Sequence, residues 1–342
     1  MDAMTQREQV TDAAPEAAWR GFVARFVAIF VGALALALAL IVLIDPYDSG
    51  RFPSLGLAGI ADDTQRTANV SLGRSGKFDA AIFGNSHGQL LDPERLSQAT
   101  GLSFVQLAIP GANAPEQMAM IHWFVRHHAR IGAIVLAADD RWCSADPQPW
   151  KWFPFWLYGD SDIQYLRTAF SARTLEAAAR RIKHVFGLVH PSDPRGYDDY
   201  ERGLPPNYRF VPPPVADRQD VFLASRALLD GRPFPAIDRL AGQLADLPAR
   251  VPVVILFPPR YVSDLPVDPD VQAVLAECKS RLARLTVQSP RGGFLDYLVA
   301  SPMTRDPGNF EDAEHYRAPV ARTLERAIAE VLRGQGAESR VR

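Results

Sequence analysis

From Phe26 to Ile44 the chain runs through 19 residues with no polar or charged side chain (FVAIFVGALALALALIVLI). A helix of that length crosses the roughly 30 Å hydrocarbon core of a bilayer, and few core helices of soluble domains are as long and as apolar. A secretory signal has a shorter apolar region and a small-x-small cleavage site, whereas Asp45-Pro46-Tyr47 comes next here. The sequence therefore predicts an uncleaved signal anchor over 26–44, preceded by a cytoplasmic tail over 1–25. Arg20 and Arg25 lie on its amino side and Asp45 and Asp48 on the other. The positive-inside rule then gives a single-pass protein of the inner (cytoplasmic) membrane, its large domain on the periplasmic, extracytoplasmic side.

The rest of the 342 residues, in a chain 47% hydrophobic and 22% charged, can build one sizeable core. A formal net charge of −2 excludes the basic footprint of a nucleic-acid binder. Residues 45–77 hold scattered Gly, Pro and Asp with little periodicity and read as a connector. Beyond them, short apolar runs at 78–83, 104–109, 133–137, 253–257 and 294–298 read as buried strands. Helical spacing appears at 115–128, 236–247 and 271–285, and again after Pro319, where Val320, Leu324, Ile328 and Val331 share a face. Strands alternating with helices predict an α/β fold, a parallel sheet flanked by helices, over 78–333. A large insertion fills about 144–235; its centre, 190–215, is rich in Pro, Gly, Asp and Tyr and reads as an irregular loop or lid. Residues 334–342 read as a disordered tail.

Two motifs carry the chemistry. Gly84-Asn85-Ser86-His87-Gly88 follows the first strand, and Asp312-Ala313-Glu314-His315 precedes the last helix. A serine at the carboxyl end of a parallel strand sits where open α/β sheets bind ligands. A histidine with an aspartate three residues upstream supplies a base and the group that orients it. Ser86 is thus a candidate nucleophile, His315 its base and Asp312 the orienting acid, in an acyl-transfer enzyme. The first motif also satisfies the G-x-S-x-G elbow of α/β-hydrolases, but that elbow follows the middle of a sheet rather than a domain's first strand.

Serine after strand one, with Asp-x-x-His near the carboxyl end, resembles the SGNH (GDSL-like) hydrolase superfamily across 78–332, the insertion apart. With a membrane anchor in front, the chain is similar to the exported proteins of alginate acetylation and teichoic-acid D-alanylation. The resemblance implies a flavodoxin-like sheet and a Ser86–His315–Asp312 triad. It also implies an oxyanion hole built from the backbone amides of Ser86 and of Gly111, which follows the second strand. The family's asparagine after the third strand has no counterpart: Asp139, Asp140 and Arg141 stand there. A carboxylate in that place would repel a developing oxyanion, which makes Arg141 a further candidate for the hole.

His87, Asp139, Asp140, Trp142 and Trp152 are candidate substrate contacts. The aromatic run 150–158 fits a glycan groove, a membrane interface or packing of the insertion onto the core. Cys143 and Cys278 fit either a disulfide of an exported domain or two buried thiols. No cysteine or histidine cluster has metal-ligand spacing, and no cofactor is implied. The expected function is a membrane-anchored serine O-acyltransferase or esterase that O-acetylates a cell-surface or secreted polysaccharide, partnered by an integral membrane acyl-donor protein. The alternative is a non-catalytic carbohydrate-binding or assembly subunit of a polysaccharide acylation or export system.

Overall fold

The computed structural model describes residues 13–57, 64–144, 148–149, 151–189, 193–205, 207–212, 234–287 and 289–335. Parts of the expected tails and of the insertion, and Trp150, lie outside these residues. The first helix, α1 (Ala13–Ile44), contains a stretch, Ala18–Ile44, long and apolar enough to cross a membrane. It starts well before the expected Phe26.

Five strands form one parallel sheet: β1 (Ala80–Gly84), β2 (Phe104–Gln106), β3 (Ala133–Ala137), β4 (Val253–Phe257) and β5 (Gly293–Asp296). Their order is β2-β1-β3-β4-β5, with Ala80 opposite both Phe104 and Ala133. Each of the three inner strands is buried along its whole length, so these segments read in the sequence as continuous apolar runs rather than alternating ones. Alternate residues serve opposite faces. Ala81, Phe83, Ile134, Leu136 and Ile255 pack with α4 (Ala114–His127), α8 (Pro235–Ala245) and α9 (Pro269–Val287). Ile82, Val135, Val254 and Leu256 pack with α3 (Pro93–Thr100) and with α11 (Ala318–Leu332), whose Val320, Leu324, Ile328 and Val331 are buried as their spacing predicts. The strand order reverses between β1 and β3, and that switch point is where such sheets open a crevice at their carboxyl edge.

The segment expected to be a plain connector is part of the fold. It holds α2 (Gln65–Gly73), whose Val70 is fully buried in the core. Trp123 Nε1 donates to the Val70 carbonyl at 3.0 Å, and Asn69 Nδ2 to the Leu107 carbonyl at 2.9 Å. At the carboxyl end of α2, Ser71 and Arg74 hold Asp48, just past the end of α1. At its amino end, Arg66 reaches the Pro110 carbonyl at 2.9 Å, beyond the carboxyl end of β2.

The insertion adds the short helices α5 (Phe155–Tyr158), α6 (Asp162–Ala169) and α7 (Ala172–Val185). Its later described part is irregular apart from one 3-10 turn, Tyr200–Gly203. That part is tied down as a strap. Gln106 N–H of edge strand β2 donates to the Arg195 carbonyl at 2.8 Å, which covers an otherwise open sheet edge. Gly196, at φ 76°, is required there, because a Cβ would lie 2.5 Å from the Gln106 oxygen. Finally, Cys143 and Cys278 form a disulfide that joins the turn after β3 to α9. The four-residue α10 (Pro302–Arg305) follows β5.

Candidate functional site

β1 delivers Ser86 to the carboxyl edge of the sheet. Its last residue, Gly84, cannot be replaced by a residue with a side chain without collision, since a Cβ would sit 2.8 Å from the Ala137 oxygen of β3. The chain then enters a 3-10 turn, Ser86–Gly88, capped by the Asn85 side chain, which accepts the His87 N–H at 3.0 Å. Ser86 sits half-buried at the head of this turn, its hydroxyl facing the carboxyl-terminal loop.

That loop is closed on itself. Phe310 and Tyr316 form an antiparallel bridge, and Glu311 N–H donates to the His315 carbonyl at 2.8 Å. Asp312 accepts the N–H groups of Glu314 and His315, both at 2.7 Å. The insertion strap adds three holds. Tyr200 O–H donates to the Tyr316 carbonyl at 2.6 Å, Tyr208 O–H to the Glu311 carbonyl, and Glu201 accepts from Arg317 and from the first N–H of α11. Tyr316 O–H reaches back to the His87 carbonyl at 2.6 Å, which ties this loop to the serine turn.

The outcome is a contact across 229 residues of sequence: His315 Nε2 lies 3.0 Å from Ser86 Oγ. On the other side of the ring, Nδ1 lies 2.9 and 3.0 Å from the two Asp312 oxygens. Burial pulls the His315 pKa down, but the hydrogen bond and charge of Asp312, with Glu314 and Glu311 nearby, outweigh it and leave the imidazole above its ordinary value. Burial raises Asp312, and its bonds to His315 and to two backbone amides overcome that and hold it below the usual carboxylate range. The three candidates read from the sequence are thus brought together in hydrogen-bonding order.

The other candidates fare differently. Gly111 stands in the turn after β2 at φ 68°, a conformation glycine adopts without strain. Asp139 is not open to a substrate. It is 2% exposed, one oxygen accepts from Asn85 Nδ2 at 2.5 Å, and the other accepts from the Arg141 N–H at 3.1 Å. Burial and neighbouring Asp140 raise its pKa, against the pull of Arg260, Arg141 and Asn85. Asp140 forms a two-pronged pair with Arg260, at 2.7 and 3.1 Å, and Arg260 also reaches Asp264 at 3.3 Å. The carboxylate feared in the oxyanion position is therefore turned into a compensated network behind the serine turn. Arg141 Nε lies 3.8 Å from Asp139 and belongs to the same network.

His87 is 3% exposed, so it forms the wall behind the site rather than its floor. Its ring centroid is 5.6 Å from that of His315, and Nδ1 lies 3.9 Å from Asp139. Burial, with Arg260, His315 and Arg141 nearby, drives its pKa well below the ordinary value, so it is neutral. Trp142 is not a substrate contact: it is fully buried, and its indole N–H donates to Gln117 Oε1 at 3.0 Å. Trp152 is exposed, with the Arg173 guanidinium 4.4 Å above its ring. Arg173 belongs to α7, which packs against α1, so Trp152 lies on the side of the domain where the apolar helix ends.

Sequence reasoning missed Arg260, Tyr200, Tyr208 and Glu314. Only Arg260 carried a usable signal. It follows Pro258-Pro259 at the carboxyl end of β4, the same kind of position that singled out Ser86. Comparison with family models, with curated proteins and with solved structures finds no match to this chain.

Proposed function

We propose that this chain is a membrane-anchored serine O-acyltransferase or esterase of the SGNH type, acting on a cell-surface or secreted polysaccharide. The observation that carries this reading is the unbroken line of hydrogen-bonding distances from Ser86 Oγ through His315 to Asp312. Ser86 Oγ attacks the acyl carbonyl while His315 Nε2 takes its proton. The tetrahedral oxygen is held by the Ser86 and Gly111 amides, with Arg141 as a third candidate. Collapse breaks the bond to the leaving group, which takes the proton from His315, and leaves an acyl-serine. A sugar hydroxyl, or water in an esterase, then gives its proton to His315 and attacks the acyl carbon; the carbon–Oγ bond breaks and Oγ regains the proton. Asp312 keeps the imidazole in the tautomer that both halves require. Transfer to sugar is preferred over hydrolysis because the apolar helix is compatible with a membrane-bound acylation system, for which an integral membrane acyl-donor protein is the expected partner.

The test is covalent labelling of the full chain in detergent by a fluorophosphonate. We expect labelling of the parent and none of Ser86→Ala; labelling that persists in the variant overturns the assignment. Incubation with an acetyl donor and candidate oligosaccharides, read by mass spectrometry, then separates transfer from hydrolysis. One feature favours a second reading, a non-catalytic carbohydrate-binding subunit: Asp139 stands where the resembled family has an asparagine. Release of p-nitrophenol from its acetate ester, lost in His315→Ala, excludes that reading.

A further inference from the structure

Between Trp152 and Leu188 the insertion leaves much apolar surface open. α7 divides around its axis into three sectors. Thr174, Ala177, Ala178 and Arg181 are buried against the rest of the protein. Arg173, Arg180 and Lys183 lie on a second, cationic sector, which also holds Glu176, paired with Arg180 at 3.3 Å. The third sector carries Leu175, Ala179, Ile182 and Phe186, spaced four, three and four residues apart, which is one stripe of a helix. All four are exposed, Leu175 at 52% and Phe186 at 73%, and Leu188 just beyond is 71% exposed. Single exposed apolar residues are ordinary; a continuous stripe beside a row of cations is not.

The position of this helix says what covers it. Thr174 Oγ1 lies 3.2 Å from the Tyr47 hydroxyl, and buried Arg181 grips both Asp48, at 3.0 Å, and the Asp45 carbonyl. Those three partners lie within four residues of Ile44, the last residue of α1. α7 is therefore fixed at the level where the apolar helix ends. Trp156 packs edge-on to Tyr47 with centroids 5.7 Å apart, and exposed Trp152 lies beneath Arg173, so indoles gather at the same level. Tryptophan and tyrosine concentrate at membrane–water boundaries, and helices with an apolar stripe and a cationic flank lie in that plane.

We infer that α7, with Trp152 beside it, lies in the headgroup boundary of the bilayer that α1 crosses. Its Leu175–Phe186 stripe faces the acyl chains and its cations face lipid phosphates. This rests on reading α1 as membrane-spanning, and it makes the insertion a second foot on the membrane, one that stops the domain from swivelling about a single helix.

The test uses the full chain reconstituted in phosphatidylglycerol–phosphatidylethanolamine vesicles. Ile182, Phe186, Leu36 and Val267 are replaced by Cys one at a time and labelled with a nitroxide; Cys143 and Cys278 are spent in their disulfide. Collisional relaxation by oxygen and by a nickel chelate reports whether each label sits in lipid or in water. Leu36 lies within α1, and exposed Val267 precedes α9, so these two bracket the scale. We expect the labels at 182 and 186 to favour oxygen several-fold more than the label at 267. If they match position 267 while position 36 reads lipid, the second foot is refuted and the anchor stands. Water-like behaviour at position 36 refutes both. Labels at 182 and 186 shielded from both reagents mean that a protein surface, not lipid, covers the stripe, and that also overturns the inference.

Discussion

At the scale of single residues, two histidines with centroids 5.6 Å apart are pushed in opposite directions. His315 must be neutral to accept the Ser86 proton, and its pKa stands above the ordinary 6.5 despite burial, because Asp312 favours the charged form. kcat/KM for p-nitrophenyl acetate should therefore fall, as pH drops, through a midpoint above that value. In Asp312→Asn the carboxylate's support is gone while burial remains, so the midpoint should move down and the rate should drop by roughly 10³–10⁴; an unmoved midpoint would show that another group sets it. His87 titrates the other way. The folded state holds it neutral and the unfolded state takes a proton below about pH 6.5, so stability should decline as pH falls below that point, by at most about 1.4 kcal/mol per pH unit. His315 does not add to this decline, since it is protonated in both states there; its contribution is lost at higher pH, as its own folded pKa is passed. Melting temperature measured from about pH 7 down to about pH 5 should show a flatter slope in His87→Gln than in the parent. Ser86, Asp312 and His315 were legible in the sequence because each motif is local and strand or helix context marks its place. The Asp140–Arg260 pair was not: each residue stands at a strand end, but no motif says that the ends of β3 and β4 meet across 120 residues.

Among elements, the loops after β3 and β4 are joined by Arg260 to Asp140 and Asp264, and the first of them is also bolted to α9 by the disulfide. Arg260→Met should remove the two-pronged partner of largely buried Asp140, a loss of about 3–5 kcal/mol measurable by urea unfolding. Replacing Cys143 and Cys278 together by Ala removes a cross-link between residues 135 apart, for which the chain-entropy account gives about 4–5 kcal/mol. A double variant as stable as the reduced parent, and both far less stable than the oxidised protein, is the expected pattern. Strands were easy to read, since burial on both faces leaves only apolar residues to choose from. Helix α2 was hidden for the opposite reason. Its sequence, QRTANVSLG, has little apolar periodicity, and it is held by side chains from elsewhere, Trp123 among them, acting on its backbone. The strap at 193–212 has the same character: Pro, Gly and Asp forecast irregular backbone, but only the fold reveals that its tyrosines hold the His315 loop.

For the whole molecule, α/β class, the apolar helix and a parallel sheet with its crevice at the carboxyl edge could all be anticipated, because each rests on composition repeated along the chain. The relation between helix and crevice could not, since it depends on a short segment read as a mere connector. α2 runs from Asp48, beside the end of α1, to the Pro110 turn beside the crevice. Nine residues of helix span about 13 Å. Because Val70 buries α2 in the core, Ser86 is offset from the end of α1 by a rigid spacer. A serine held in this way cannot swing toward a partner on a loose tether; whatever reacts with it has to travel to it.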